Sequence, residues 1–230
     1  MKKKFQLLVI DPPYSFSDKL SMSKTPRGAS ANYDVMSIAD IKNLPIKNLI
    51  HPDGSILALW VPSCLLQDGL DIMKNWGFTY KQTYIWVKTK KKPIYQSLKP
   101  IYDFFNKSGD WNQTIDGSLI KKCFDKITLN GLLSFGLGRL FRQSHEICLI
   151  GTSDNKIYKQ LQNRSQRSVG FAENLKHSAK PENLQDSLEI MFPNATDKIE
   201  IFARRLRSGW ICLGNSVCNG EDIRVSLSKL

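Results

Sequence analysis

Six short runs of apolar residues recur along this chain of 230 residues, and they constrain its fold more than any other feature. Each run is almost uninterrupted, which is typical of strands that are buried on both faces of a parallel sheet. Segments with helical spacing of apolar residues, such as 66–76 and 181–191, lie between the runs. The pattern predicts an α/β fold: a doubly wound, mostly parallel sheet with helices on both faces and right-handed crossovers. The runs are FQLLVI (5–10), SILALWV (55–61), QTYIWV (82–87), EICLIG (146–151), KIEIFA (198–203) and GWICLG (209–214).

Residues 89–135 interrupt this alternation of strands and helices. The segment begins with a lysine cluster, and a plausible amphipathic helix lies around 119–129. We interpret it as an insertion in a single domain that covers 1–230, between a first half, 1–88, and a second half, about 140–230. Its aromatic residues either cover the insertion's own core, which is the preferred interpretation, or stack on bases. They are Tyr95, Tyr102, Phe104, Phe105 and Trp111.

The chain is strongly basic, with 33 Lys and Arg against 21 Asp and Glu and a formal net charge of +12. A surplus of this size favours a polyanionic partner, most often nucleic acid, over a merely soluble basic protein. The positive residues are clustered, and the polar segment 155–178 is interpreted as a mobile basic loop. We expect the clusters to contact phosphates. They are Lys88 with Lys90, Lys91 and Lys92, and Arg164 with Arg167.

The five cysteines and the first residues of the chain indicate a cytoplasmic protein. No two cysteines have CxxC spacing, and several lie inside apolar runs, where cysteine behaves as a small hydrophobic residue. We therefore expect neither a disulfide framework nor a metal site. The apolar run that follows the first lysines is too short for a signal peptide, and no run approaches the length of a membrane span, so no membrane partner is expected.

The tetrapeptide Asp11-Pro12-Pro13-Tyr14 directly follows the first predicted strand. Ligands of open α/β sheets bind beyond the carboxyl ends of the strands. Because proline fixes φ and has no N–H, the two prolines make a stiff corner where backbone carbonyls and the Asp11 carboxylate can converge on one amino group. Tyr14 can offer a flat face for a base, a stack typically worth about 1–3 kcal/mol. This arrangement predicts a pocket for a planar ring that carries NH₂; the alternative is a Pro-Pro turn with an aspartate helix cap.

The tetrapeptide resembles the catalytic motif of amino-group methyltransferases that use S-adenosyl-L-methionine. The order of motifs around it is similar to that of the MT-A70 family of adenine-N6 methyltransferases, over nearly the whole chain except about 89–135 and 155–175. The matching pieces are Asp11-Pro12-Pro13-Tyr14, Tyr33-Asp34-Val35-Met36, Leu44-Pro45, Leu59-Trp60-Val61, Trp76-Gly77-Phe78, Ile85-Trp86-Val87-Lys88, Arg142, His145-Glu146, Cys148-Leu149, Ser178, Lys180-Pro181-Glu182, Glu200-Ile201-Phe202-Ala203-Arg204, Gly209-Trp210 and Gly214-Asn215.

The resemblance implies a permuted, Rossmann-like class I methyltransferase whose catalytic strand comes first and whose cofactor-binding half is about 140–230. It implies that Lys180 pairs with the methionine carboxylate of the cofactor and that Arg204 and Asn215 bind its ribose hydroxyls. Eukaryotic relatives usually carry Pro-His-Asn after the matched arginine, where this chain has Arg205-Leu206-Arg207, so one ribose contact is missing or comes from elsewhere. Ser216 is a partial substitute, and Asp11 is also expected beside the cofactor.

The resemblance further implies direct in-line methylation of adenine N6 in DNA, with the target base flipped out and stacked at Tyr14. Asp11 and the Pro12 carbonyl would each accept one N–H of the amine. His145 and Glu146 either help to hold the target nucleoside or form a structural pair. RNA is the nearest alternative substrate, cytosine N4 and protein glutamine are others, and the alternative of another class is a non-catalytic nucleic-acid-binding subunit. A bacterial or phage-encoded enzyme is expected, either a homodimer or an enzyme with a partner subunit that supplies specificity.

Overall fold

A mixed β-sheet organises the fold. The computed structural model describes residues 3–15, 35–136, 140–174, 179–217 and 220–230. The strands found in these segments lie in the order β5-β3-β4-β2-β1-β6-β7, with the bounds β1 (Leu7–Ile10), β2 (Ile56–Val61), β3 (Thr79–Thr89), β4 (His145–Thr152), β5 (Val169–Glu173), β6 (Lys198–Ile201) and β7 (Ile211–Leu213). β1 pairs in parallel with β2 and β6, and β6 pairs in parallel with β7, whereas β4 runs antiparallel to β2.

The two central strands are buried along their whole length. All four residues of β1 and all six residues of β2 are buried. A strand that is covered on both faces needs apolar side chains in both directions, which explains the uninterrupted apolar runs. The prediction of an α/β fold with a mostly parallel sheet is therefore confirmed.

Helices connect and cover these strands. They are α1 (Ile38–Lys42), α2 (Leu66–Asn75), α3 (Pro93–Ser108), α4 (Gly117–Phe124), α5 (Leu129–Leu132), α6 (Asn183–Met191) and α7 (Ile223–Ser228), with 3₁₀ turns at Ile46–Leu49, Ser63–Leu65 and Asn155–Gln160. Apolar residues of α1, α2 and α7 share one core with Leu8, Leu57 and Ile199 of the sheet. Within the described residues, no helix is both long and apolar enough to cross a membrane.

The backbone divides into two compact units. The first unit comprises Met1–Ile85, Ile147–Ser168 and Glu182–Leu230, and the second comprises Trp86–Glu146 and Val169–Pro181. The predicted insertion, 89–135, falls wholly inside the second unit. The single-domain organisation over 1–230 stays a prediction.

The insertion is more helical than its sequence predicts. Only a helix around 119–129 was predicted, but the insertion begins with α3, which continues through Pro100 in its interior, although a proline there removes one helical hydrogen bond. The single helix predicted around 119–129 is two short ones. The chain leaves α4 at Asp125 and restarts at Thr128, whose hydroxyl caps α5 by accepting a bond from the Gly131 N–H at 2.9 Å.

Two other predicted boundaries differ in the structure. The prediction of a loop over 155–178 is wrong for 155–160, a 3₁₀ turn, and for 169–173, strand β5, whereas 161–168 lies in no helix or strand; residues 175–178 lie outside the described residues. The helix predicted from Pro181 begins two residues later, at Asn183. Strand β5 was not predicted because strand formation depends on tertiary neighbours. A difference of two residues at the start of a helix is within the ordinary variation of helix ends.

Gly214, directly after β7, lies so close to the backbone that follows β6 that there is no room for a side chain. A Cβ built on Gly214 would lie 2.8 Å from the Ala203 nitrogen and closer still to the Ala203 carbonyl oxygen, and neither backbone atom can move cheaply. We expect Gly214→Ala to lower the free energy of unfolding by about 1–3 kcal/mol, as measured by urea denaturation. Gly117→Ala is the control, since its Cβ would have no neighbour within 4 Å. Equal stabilities of the two variants would contradict the close approach.

Candidate active site

The corner formed by residues 11–14 is held by backbone hydrogen bonds. Asp11 is the first residue beyond β1, and its N–H donates to the Ile201 carbonyl at 3.3 Å. The Pro12 carbonyl accepts from the Tyr14 N–H at 2.9 Å, and the Pro13 carbonyl accepts from the Met36 N–H at 2.8 Å. Asp11 and Pro13 are half-buried, so the corner keeps contact with solvent. A carbonyl oxygen has two lone pairs, which leaves the Pro12 oxygen able to accept a second bond.

Tyr14 differs from its predicted role in this conformation. Its side chain is only 4% exposed, belongs to the core of the first unit and donates its hydroxyl to the Trp60 carbonyl at 3.0 Å. Burial, aided by the negative charge of Asp11, raises the pKa of Tyr14 well above its ordinary value, so the hydroxyl remains a donor. The ring therefore does not present a free face for a base; it anchors the corner to β2.

The strands beside β1 bring three more predicted site residues to the same edge. Ile10 lies opposite Ile201, and Ile201 lies opposite Leu213, so β1, β6 and β7 end at one level. Arg204 follows β6, and Asn215 and Ser216 follow β7; all three are exposed. The turn after β6 passes through Phe202, which has a φ of 67°, an unusual conformation for a residue other than glycine. Backbone strain of this kind clusters at functional sites.

Glu200 is a candidate that the sequence analysis did not single out. It lies in β6 between core residues Ile199 and Ile201, so its side chain points to the opposite face of the sheet. Gln185 of α6 covers it and donates Nε2 to the Glu200 carboxylate at 3.0 Å. Burial raises the pKa of Glu200, and nearby Asp11 adds to the increase. The signal in the sequence was a lone carboxylate within an apolar run.

Gln185 itself carries an unsatisfied polar atom. The residue is 2% exposed, and its Oε1 is buried with no hydrogen-bond partner among the described residues. Buried carbonyl oxygens in proteins almost always accept a hydrogen bond. The free acceptor beside the Glu200 carboxylate therefore suits a bound molecule that carries hydroxyl or amino groups.

The departure from the Pro-His-Asn pattern has a structural explanation. The guanidinium of Arg207 donates to Glu182 at 2.7 Å, to Asp186 at 2.7 Å and to Glu189 at 2.6 Å, and Arg205 also bonds Glu182. Glu182 directly precedes α6, and the other two acids lie on this helix. The two arginines thus tie the turn that carries Arg204 to α6.

Glu189 is the centre of this network. It also accepts from the Lys198 ammonium at 2.6 Å and from the Trp210 indole at 2.8 Å. Burial by itself would raise the pKa of Glu189, but the bonds from Lys198, Arg207 and Trp210 outweigh it and lower the pKa to about 2. Glu189 therefore stays ionised in the folded protein and holds three donors.

In the second unit, one carboxylate holds two ammonium groups. Glu146 binds Lys88 at 2.6 Å and Lys180 at 3.2 Å, and the three side chains are 26%, 14% and 15% exposed. Burial opposes ionisation of Glu146, but Lys180 and Lys88 outweigh it and lower its pKa. The cluster keeps a net positive charge in a partly shielded place, which suits an anionic group. The Lys88 ammonium also lies over the Trp86 ring. Lys88 was predicted to contact phosphate, but in the structure its side chain is held by Glu146 and Trp86.

The remaining predicted nucleic-acid residues are exposed. In the second unit they are Lys90, Lys91, Lys92 and His145, and in the first unit Arg164 and Arg167. The Lys90 ammonium donates to the Gly131 carbonyl at 2.5 Å. Tyr33, Asp34 and Ser178 of the resemblance lie outside the described residues. Over the described part of the chain, no three His, Cys, Asp or Glu side chains could hold a metal ion together.

The sequence is similar to one protein family and to several methyltransferases over most of its length. The family model MT-A70 matches residues 5–108 and 110–216. The chain is 25% identical over 215 residues to the probable N(6)-adenosine-methyltransferase MT-A70-like protein of Oryza sativa subsp. japonica, covering 93% of this chain and 23% of the rice protein. It is 23% identical over 224 residues to the type II methyltransferase M.MunI of Mycoplasma sp, covering 91% and 76%. It is 32% identical over 97 residues to the N6-adenosine-methyltransferase non-catalytic subunit MTB of Arabidopsis thaliana, covering 42% and 12%. The chain thus spans about a quarter of the rice relative.

The charge network around Glu189 gives a pH-dependent prediction. The pKa of Glu189 is about 2 in the folded protein and about 4.3 in an unfolded chain. Its stabilising effect is complete above the unfolded pKa and is lost as the pH falls towards 2. Because its side chain is 31% exposed, solvent screening limits the effect, and we expect Glu189→Gln to cost about 1–2 kcal/mol at neutral pH.

The difference between wild type and Glu189→Gln should shrink as urea unfolding is repeated from about pH 6 down to about pH 3. Asp53→Asn is the matched control, since the Asp53 side chain is 69% exposed and its contact with His51 is long, at 3.8 Å. A pH-independent loss of stability in Glu189→Gln would show that the carboxylate charge is not what stabilises this turn.

Proposed function

The chain belongs to the MT-A70 family, whose methyltransferases use S-adenosyl-L-methionine as the methyl donor, and on that premise we propose that it methylates N6 of adenine in DNA. The observation that carries the proposal is the corner at residues 11–14. It places Asp11 and the Pro12 carbonyl at the carboxyl edge of β1, beside the ends of β6 and β7, and backbone hydrogen bonds hold it there. In a duplex the target base has to be flipped out, at a cost of a few kcal/mol.

The side chains of the second half fit the polar groups of this cofactor. Arg204, Asn215 and Ser216 are exposed at the edge where ligands of α/β sheets bind, and they suit ribose hydroxyls. The buried Gln185 oxygen without a partner and the Glu200 carboxylate add two acceptors in the first unit. Lys180, in a cluster with net positive charge, suits the methionine carboxylate. When bound, the cofactor supplies a methyl group on a positively charged sulfur.

Asp11 and Pro12 are proposed to make the amino nitrogen of adenine more nucleophilic. The N6 lone pair of adenine is delocalised into the ring and is a poor nucleophile. When the Asp11 carboxylate and the Pro12 carbonyl each accept one N–H, the nitrogen is drawn towards a tetrahedral shape and its lone pair becomes available. Positioning of this kind can supply roughly 7–11 kcal/mol of the barrier. The charge on Asp11 also stabilises the positive charge that develops on the nitrogen.

Tyr14 is proposed here as a positioning residue. Its buried ring and its bond to the Trp60 carbonyl fix the end of the corner, and with it the direction of the Pro12 carbonyl. Stacking of the target base on this ring would need the ring to leave the core. The geometry therefore supports an anchoring role better than the stacking role predicted from the sequence.

The exposed cations are proposed as phosphate contacts. Lys90, Lys91, Lys92, Arg164 and Arg167 are free of the shielding that surrounds Lys88, and contacts to phosphates make binding strongly salt-dependent. His145 is exposed and suits the same surface. Glu146, held by two lysines, is better suited to orienting Lys180 than to meeting a nucleic acid, since it would repel phosphates.

Two alternatives have support of their own. The rice relative is named an adenosine methyltransferase, which favours RNA as the substrate. The Arabidopsis relative is named a non-catalytic subunit, which favours a scaffold that pairs with an active chain. The intact Asp11-Pro12-Pro13-Tyr14 motif argues for catalysis. We propose a bacterial or phage-encoded enzyme of the cytoplasm that acts as a homodimer or with a partner subunit.

Replacement of Asp11 tests the mechanism. Asp11→Ala and Asp11→Asn remove the charged acceptor, and we expect the methylation rate to fall at least about 10²-fold, the size typical for the loss of one preorganised charge-stabilising group. Nucleic-acid binding, measured by fluorescence anisotropy, should stay within about twofold, because phosphate contacts carry most of it. Asp53→Asn, at an exposed loop carboxylate, should keep wild-type activity. Substantial turnover by Asp11→Ala would refute the assigned role.

The choice of substrate is tested directly with labelled cofactor. We expect methyl transfer to plasmid DNA, with N6-methyladenine as the product in nucleoside mass spectrometry, because the corner grips an exocyclic amine. Label that enters only RNA would establish the RNA alternative. Failure to label either polymer, together with no cofactor binding by calorimetry, would favour the non-catalytic subunit.

A further inference from the structure

Three aromatic rings form a row on the surface of the second unit. Tyr95 and Tyr102 of α3 have ring centroids 6.3 Å apart, and Trp111, just beyond this helix, lies 6.1 Å from Tyr102. Phe105 stacks on the Trp111 ring at 5.1 Å and is half-buried, so it supports the tryptophan from one side. We call Tyr95, Tyr102 and Trp111 the aromatic strip.

The strip is exposed to an extent that packing does not explain. Tyr95 is 51% exposed, Tyr102 44% and Trp111 60%, and α3 buries none of its residues fully. The preferred interpretation from the sequence, cover for the insertion's own core, suits half-buried Phe104 and Phe105 but not the strip. Contiguous exposed aromatic surface usually marks a place where another molecule binds.

Lysines lie near the strip in the chain, together with Asp103 and Asp110. Lys99 lies on α3 between the two tyrosines and is exposed, with its ammonium paired to Asp103 at 2.5 Å; the bond to Asp103 and the proximity of both tyrosines raise its pKa. Lys92 directly precedes α3, and Lys107 lies in its last turn. Between 86 and 146 the chain has eleven Lys and Arg against five Asp and Glu. The strip therefore lies in a field that attracts anions.

Flat rings among lysines fit one kind of partner better than the others. Protein interfaces are enriched in tyrosine and tryptophan but depleted in lysine, so the rings alone would suit a protein partner and the lysines beside them argue against one. A DNA duplex hides the faces of its bases inside the stack and offers nothing for the rings to stack on. A single strand offers both phosphates for the lysines and base faces for the rings, the combination found in proteins that bind single strands without sequence preference.

We propose that the aromatic strip is a stacking platform for unpaired bases of a DNA strand. Each ring of the strip can take one base, and Lys92 and Lys107, at the two ends of α3, can neutralise the phosphates that connect the bases. The choice of DNA rests on the proposed function. The stacking itself needs no methyl transfer, so the two can be tested separately.

The test measures binding of the full-length protein to a fluorescent single-stranded deoxyoligonucleotide at fixed salt. We expect the triple variant Tyr95→Ala, Tyr102→Ala, Trp111→Ala to bind about 10- to 100-fold more weakly, since alanine substitutions at such rings remove stacking with the bases. The triple variant with phenylalanine at the same positions keeps the rings and should bind within about threefold of wild type. Tyr80→Ala is the control, since it removes an exposed tyrosine of β3 in the first unit, away from α3 in the sequence. It shows whether losing an exposed ring elsewhere also weakens binding.

An abasic oligonucleotide isolates the stacking. It keeps the phosphates and lacks the bases, so wild type and the alanine variant should bind it equally. Circular dichroism and calorimetry with the cofactor establish that each variant is folded. Tyr102→Ala alone, which removes the middle ring, should weaken binding by about 3- to 30-fold and serves if the triple variant does not fold.

Three results would overturn the proposal. The first is equal binding of the base-bearing strand by wild type and the alanine variants. The second is binding of single-stranded RNA but not DNA. The third is a dimer, seen by light scattering, that the alanine variant abolishes while DNA binding is unchanged, which would make the strip a protein interface. A variant that no longer binds the strand but still methylates a free nucleoside would support the stacking platform independently of DNA methylation. Strand binding by a protein that methylates nothing would refute the proposed methyltransferase function and leave the stacking platform intact.

Discussion

Three parallel strands held in one hydrogen-bond register determine where the reactive groups of this protein lie. Because Ile10, Ile201 and Leu213 stand side by side, whatever follows β1, β6 and β7 is delivered to a common edge. Asp11 and Arg204 reach that edge from β1 and β6. A slip of one residue in either ladder would turn every side chain of the strand to the opposite face, so burial of the apolar faces also fixes the site.

Ion pairs with buried or half-buried carboxylates set the detail around this edge. Arg207 binds three acids at the start and along one face of α6, which holds the turn after β6. In the second unit the signs are reversed, because the single carboxylate of Glu146 binds two lysines. In both clusters the cations outnumber or balance the acids, and the less exposed pairs, such as Glu146 with Lys180, are screened less by salt than exposed pairs are.

Much of the site could be predicted because a few residues have strong local preferences. The two prolines after a buried strand fix a corner whatever surrounds them, and the structure has that corner in place. Other features were less predictable. No helix was predicted at α3, which contains a proline in its interior, and interior prolines usually end helices. Glu200 was named only within a matching piece and given no role, because one carboxylate in an apolar run is consistent with several environments.

The sequence by itself determined the alternation of strands and helices, the buried centre of the sheet and the acidic corner after β1, because periodicity and proline geometry are local properties. The tertiary structure alone decided that Tyr14 lies in the core, that Arg205 and Arg207 bind α6, and that the rings of the aromatic strip stay exposed. Burial and pairing depend on residues distant in the chain, which approach one another only when the sheet and its helices are assembled.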